Sequence, residues 1–518
     1  MTRALTVVLL LALGAAFVLR GLKLGERPMH NDEAVNAIKF RELWERGTFR
    51  YDPNEHHGPS LFYATRAIGR LTGAPDFQEY TEARLRWVTV LFGLGLVALL
   101  PLVVDGLGRR GTAWAALFTS VSPAFVFYSR YFIHETLLVF FTFLAFVAAW
   151  RYWRTRRLGW AVLSGVGLGL MSATKETFVL TLAAAALALA LNLLWTRFID
   201  ASGLPLKAQR VSLRHLAAAL VVWLAVVVVL FTSFFTNPSG LLDSVRTYEP
   251  WLHRAEGASP HIHAWYFYLH RLLIFHPDNG PVWTEALLLV LGLVAAWAGF
   301  ARKRLDGASA GLVRFLTLYT LLLTAIYSLV AYKTPWCLLN FWHGMLLLAG
   351  VGAAVLLRGI RQRSVYWCVS LLLAAGAGHL TWQAWQLDTT YAADQRNPYV
   401  YAQTSPDVLD LLSLVEKLAA LSPEGDRMLI QVAAADGDYW PLPWYLRRFQ
   451  QVGWWEHLPA DTRACVLIVS PGFSAGMDPA QAHQMGIFGL RPRVFLELYV
   501  RDELWQRWMD RNRSNRSP

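Results

Sequence analysis

Long apolar windows recur near residues 4–22, 86–104, 112–128, 135–150, 159–173, 177–195, 214–233, 283–300, 311–330, 336–357 and 364–382. A bilayer core is crossed by roughly 20 helical residues. The pattern predicts an α-helical polytopic membrane protein with about eleven transmembrane helices. Composition agrees, with 55% of the chain hydrophobic and 16% charged. The first window resembles a signal-peptide core in length. It lacks a small-x-small cleavage site before Arg20 and is followed by further spans, so it reads as a retained anchor.

The net charge of +12 would suit a nucleic-acid partner, but the basic residues lie in short clusters between apolar runs. That is the positive-inside pattern, so no nucleic acid is expected. One set of loops carries Gly108-Arg109-Arg110, Arg151 to Arg157, Arg197 to Arg214, Arg302-Lys303-Arg304, and Arg358, Arg361 and Arg363. These alternate with a second set: Met29–Arg84, Ser129–Glu135, Thr174–Glu176, Phe234–Pro281, Tyr332–Pro335 and everything after Trp382. The first set is expected to be cytoplasmic and the second to face outward. Interfacial belts account for much of the content of 23 Trp. The three cysteines, Cys337, Cys368 and Cys465, form no CxxC pattern and imply neither a disulfide framework nor a zinc site.

Two domains follow. Residues 1–382 form the transmembrane domain, with outer loops 23–85 and 234–282. Residues 383–518 form a small extracytoplasmic α/β domain. Within it, Asp407 to Leu421 reads as a helix, and Arg427 to Ala433, Ala464 to Ser470 and Arg493 to Val500 read as strands. In the first outer loop Asp32 to Arg46 is helical in pattern, with Gly47 as a stop, and a second helix spans Pro59 to Leu71. Both look amphipathic and suited to the membrane surface.

Three groups of residues invite a chemical reading. Asp32 and Glu33 are adjacent carboxylates at a helix start. One of them could take a proton from an acceptor hydroxyl as a glycosidic bond forms. Equally, Asn31 or Asp32 serves as an N-cap, with acidic residues complementing the helix dipole. Glu55-His56-His57-Gly58-Pro59 offers candidate substrate or metal contacts, with a divalent cation as the candidate cofactor. It is also an ordinary polar turn before a helix. Arg130, Lys175 and Lys333 stand at outward span ends, where three cations could converge on a lipid-linked phosphate. The bland alternative is snorkelling, or local pairing of Lys175 with Glu176 and of Arg130 with Glu135. Glu135 could also assist the acceptor.

Taken together, MHNDEAVNA, HHGPSLFY, SRYFIHE, ATKE, YKTPW and DYWPLPWYLR resemble the GT-C superfamily of membrane glycosyltransferases. The protein O-mannosyltransferases and aminoarabinose lipid A transferases are the well-understood relatives. The ordered set is most similar to a prokaryotic family called flippase activity-associated. His57-Gly58-Pro59 stands where some relatives have His-Pro-Pro, which leaves the roles of His56 and His57 open. The resemblance implies Asp32 as the acceptor-activating base with Glu33 beside it, and a donor-phosphate site drawing on Arg130, Lys175 and Lys333. It implies inverting transfer of a sugar from a polyprenyl-phosphate donor to a lipid, glycan or protein acceptor. The alternative is a lipid-linked oligosaccharide flippase or its accessory.

Overall fold

The computed structural model describes residues 2–55, 57–74, 76–200, 211–256, 261–302, 305–459, 464–476 and 482–514. In chain order its main helices are α1 (Arg3–Gly21), α2 (Asn31–Arg46), α3 (Ser60–Leu71), α4 (Glu82–Leu99), α5 (Arg109–Val121), α6 (Pro123–Ser129), α7 (Glu135–Thr155) and α8 (Leu158–Ser172). There follow α9 (Phe178–Phe198), α10 (Leu213–Phe231), α11 (Ala286–Ala301), α12 (Ala310–Leu329), α13 (Leu339–Gly359), α14 (Arg363–Asp388), α15 (Asp407–Ala419) and α16 (Asp502–Ser514). The strands are β1 (Ile430–Ala433), β2 (Val452–Trp455), β3 (Val466–Val469), β4 (Ala482–Arg491) and β5 (Val494–Arg501).

Every apolar window falls on helix. Among the described residues, eight helices are long and apolar enough to cross a membrane, and α8 and α11 are shorter apolar helices. The window near 112–128 is split. Ser122-Pro123 separates α5 from α6, because proline supplies no N–H to continue the ladder. The break is pinned from two sides. Arg20 donates to the Thr119 and Ser120 carbonyls at 2.9 and 2.8 Å. The buried Glu285 carboxylate accepts from the Ser122 hydroxyl, the Ala124 N–H, the Trp342 indole and the Tyr399 hydroxyl.

The chain divides into two compact units. The first comprises Met1–Leu24, Arg46–Thr72 and Ala83–Tyr401. The most apolar 18-residue stretch of the span containing α13 is entirely buried. Packing between membrane helices relies on close backbone approach, since lipid is as apolar as the side chains. Gly352 illustrates it: a Cβ there would lie 1.8 Å from the Leu291 carbonyl oxygen on α11. At the arginine-rich end, Asp105 meets Arg151 and Arg154, Asp306 meets Arg358 and Arg110, and Asp200 meets Arg314 and Arg302.

The second unit comprises Gly25–Glu45, Gly73–Glu82 and Ala402–Pro518. Its sheet has the order β2-β1-β3-β5-β4. β1, β2 and β3 run parallel, and β5 is antiparallel to both β3 and β4. Val408, Leu411 and Val415 of α15 form a core with Ile430, Val432, Val466 and Ile468. Sequence patterning finds β1, β3 and β5 but misses β2, whose Val-Gly-Trp-Trp is half-buried throughout, unlike the fully buried β1 and β3. It also misses β4, where register shifts beside Gly486 and Gly489 break the alternation. The expectation that α2 lies along the membrane surface is corrected. Its apolar face, Ala34, Ala37, Phe40 and Leu43, is buried, and Phe40 packs on the rings of Phe77 and Tyr80 within the second unit.

Candidate active site

In the second unit, the start of α2 separates the two adjacent carboxylates. His30, rather than Asn31 or Asp32, is the N-cap. Its carbonyl accepts the Ala34 N–H, and its Nδ1 accepts the Asp32 N–H at 3.1 Å. Glu33, three residues on, returns to accept the His30 N–H at 2.9 Å and pairs with Arg27 at 3.1 Å. That is one half of a capping box. It leaves the Glu33 side chain fully buried. The Asp32 side chain remains 43% exposed, with its Oδ1 3.9 Å from His30 Nδ1. Only Asp32 of this pair keeps its carboxylate exposed.

In the first unit, Arg130, Lys175 and Lys333 are each engaged by groups of the protein itself. Arg130 is buried, donates to the carbonyls of Leu19 and Leu22, and pairs with Asp388 at 3.2 Å. It ties the end of α1 to the end of α14 instead of pairing locally with Glu135. Lys175 pairs with Glu135, not with its neighbour Glu176, and both are buried. Burial works against the Lys175 ammonium, but Glu135, Cys337 and Glu176 together outweigh it and hold the lysine well above its usual range. Lys333 donates to the carbonyls of His263 and Val330.

Glu176 instead meets His57 across 119 residues, Oε2 to Nδ1 at 2.9 Å. Burial alone would raise this carboxyl; His57 and then Lys175 pull it down to about 2. The His57 side chain stays 39% exposed. Gly58 beside it admits no Cβ, because one would sit 2.3 Å from the Ala173 carbonyl oxygen. This close approach lets the Gly58 N–H donate to the Thr174 carbonyl and sets His57 over Glu176. His134 Nε2 lies 3.0 Å from the Gly58 carbonyl. That contact requires the proton on Nε2, and burial holds His134 neutral. Glu55 is exposed, and His56 lies outside the described residues. Among the described residues, no group of three or more His, Cys, Asp or Glu gathers as a metal site.

Sequence reasoning missed one cation. Arg271, in the short helix Phe267–Leu273, lies over the Phe267 ring at 3.7 Å and faces Phe275 at 5.9 Å. Among the described residues it has no ion-pair partner, and its Nε is buried without a hydrogen bond. Burial lowers its pKa, while Tyr128, Tyr401 and Tyr268 act the other way. His263 is held below its usual range by burial, then by Arg271, His261 and Lys333. Arg271, Lys333 and His261 thus gather around His263, and among the described residues no carboxylate pairs with Arg271. The signal was present in the sequence, but only as one arginine among many aromatics.

The chain resembles solved structures along nearly its whole length. ArnT from Cupriavidus metallidurans aligns over 95% of this chain and 98% of its own, with a TM-score of 0.58 and 16% identity. This is a GT-C fold. The ArnT structure bound to undecaprenyl phosphate gives a TM-score of 0.57 at 15% identity, covering 96% of this chain and 98% of that one. The archaeal oligosaccharyltransferase AglB from Archaeoglobus fulgidus shares the GT-C architecture over 98% of this chain and 77% of its own. Its TM-score is 0.57 at 11% identity. The family model for dolichyl-phosphate-mannose-protein mannosyltransferase matches residues 71–239, which include Arg130, Glu135, Lys175 and Glu176. No curated protein sequence matches.

Proposed function

We propose that this protein is an integral-membrane glycosyltransferase that moves a sugar from a polyprenyl-phosphate donor to an acceptor hydroxyl at the outer face of the membrane. The observation that carries this reading is the end-to-end GT-C fold, shared with a transferase crystallised with undecaprenyl phosphate. The C-terminal domain is assigned to the extracytoplasmic side by the alternation of basic loops.

The chemistry needs a base for the acceptor and a cationic support for the departing phosphate. Asp32 is the base: it takes the hydroxyl proton as the acceptor oxygen attacks the anomeric carbon. The bond from that carbon to the phosphate oxygen breaks with inversion, and polyprenyl phosphate leaves carrying the electron pair. Glu33 acts through the helix start rather than on substrate. Arg130 and Lys175 are committed to buried partners and hold span ends together. The phosphate-facing role passes to Arg271, with Lys333 and His263 nearby. A guanidinium suits this task because its planar fork matches phosphate oxygens.

Transfer is to be measured on purified protein in nanodiscs, with a panel of undecaprenyl-phosphate sugars and lipid, glycan and peptide acceptors. Asp32→Asn should lower kcat by about 10²- to 10⁴-fold, the usual contribution of a general base. Its half-exposed position predicts unchanged folding. Wild-type turnover by Asp32→Asn would sink the assignment.

A further inference from the structure

The approach to α2 is held by side chains from the far end of the sequence. Met29, three residues before Asp32, is fully buried. Its N–H donates to the Tyr445 hydroxyl at 2.8 Å, and its carbonyl accepts from the Thr404 hydroxyl at 2.6 Å. Buried backbone groups must find partners. Here both groups of one residue are satisfied by side chains more than 370 positions away. The neighbours of Tyr445 extend the grip. The Trp444 indole donates to Glu82 at 2.8 Å, and Arg447 donates to the Tyr80 carbonyl at 2.6 Å while lying over the Trp444 ring at 3.7 Å. Phe77 packs edge-on against Trp444. These contacts all lie within the second unit.

We propose that Tyr445 is a positioning residue for Asp32, and that the C-terminal domain presents the base for catalysis. The inference rests on the reading of Asp32 as the base. The chain leaves Met29 and immediately reaches the His30 cap. The direction in which the backbone meets that cap fixes the direction of the Asp32 side chain two residues later. The Tyr445 and Thr404 hydroxyls set that direction, whereas the cap sets only the first turn. Within the aromatic segment Asp438–Phe449, Leu442, Trp444, Leu446 and Phe449 are buried.

Tyr445→Phe keeps the ring and deletes only the oxygen that accepts the Met29 N–H. A displacement of about 1 Å at a catalytic group costs about 100-fold in rate. The variant should lose about 10- to 100-fold in kcat with KM for the donor unchanged. The donor is whichever undecaprenyl-phosphate sugar the wild type turns over, and release of undecaprenyl phosphate is the readout. Thr404→Val removes the other half of the grip and should behave alike, which guards against a folding defect particular to either variant.

Azide then separates misplacement of the base from general damage. It is a nucleophile with no proton to remove, so it attacks the anomeric carbon without a base. The products are a glycosyl azide and undecaprenyl phosphate. Azide should restore turnover in Asp32→Asn, Tyr445→Phe and Thr404→Val alike. If Tyr445→Phe and Thr404→Val turn over at the wild-type rate while Asp32→Asn is inactive, the positioning role is refuted and the base assignment stands. Loss in these variants that azide does not restore, while Asp32→Asn recovers, also overturns it. Full activity of Asp32→Asn overturns the base assignment instead.

Discussion

Replacing Arg271 with Gln removes a positive charge that has no counter-ion among the described residues. Its guanidinium is stacked on Phe267 and already partly desolvated, so much of the cost of stripping water from it is met on folding. A phosphate about 4 Å away would gain about 4 kcal/mol at an effective dielectric constant near 20. Part of that is offset by dehydrating the phosphate itself. Charge-assisted hydrogen bonds of this kind contribute about 1.5–3 kcal/mol net, or roughly a 10- to 150-fold change in Kd. Binding of undecaprenyl phosphate to protein in nanodiscs, followed by native mass spectrometry or tryptophan quenching, should therefore weaken by that factor in Arg271→Gln. Arg271→Lys should fall between, since it keeps the charge and loses the planar fork and the stack. Asp32→Asn should bind as wild type does. A Kd for Arg271→Gln within about twofold of wild type would mean that the energy estimate, one charge-assisted contact, is wrong.

The remaining predictions concern stability. Glu176 has a folded pKa near 2 against an ordinary value of 4.5. A depressed carboxyl stabilises the folded state above its unfolded pKa and ceases to do so as pH falls toward the folded one. The thermal midpoint in detergent should therefore decline as pH falls from about 4.5 toward 2, and His57→Gln should flatten that decline; equal slopes would refute the pairing. Gly352→Val forces a Cβ to within 1.8 Å of the Leu291 carbonyl and should destabilise by about 1–3 kcal/mol, as overpacking does. Gly378→Ala in α14 meets nothing within 4 Å and serves as the neutral control in the same melts.

What could be read from the chain alone follows the range of the interactions concerned. Apolar windows mark membrane helices because hydrocarbon imposes the requirement on every segment separately. The helix starting near Asp32 and stopping at Gly47, whose φ is +78°, is legible from local start and stop signals. Pair identity was not. Lys175 and Glu176 are adjacent in sequence, yet each takes a partner from a different segment, Glu135 and His57. Adjacent side chains point apart, so local charge complementarity misled. His30 escaped notice as a cap because imidazole seldom takes that place. The partners of Arg130, the Leu19 and Leu22 carbonyls and Asp388, lie more than 100 residues away in the chain and could not be read from spacing. Arg271 looked ordinary because the absence of a counter-ion is a property of space, not of spacing.

The aspartates at the arginine-rich end restrict the motions open to the membrane unit. Asp105, Asp200 and Asp306 each join segments distant in sequence, and the Asp200–Arg314 pair is buried. A carrier that works by alternating access must part both of its ends in turn. Parting this end would strand Arg314 and Asp200 as unmatched charges out of water, a step costing about 3–5 kcal/mol when one partner of a buried pair is lost. The membrane unit is thus clamped at this end by ion pairs. Any rocking motion that opened this end would have to break these pairs first.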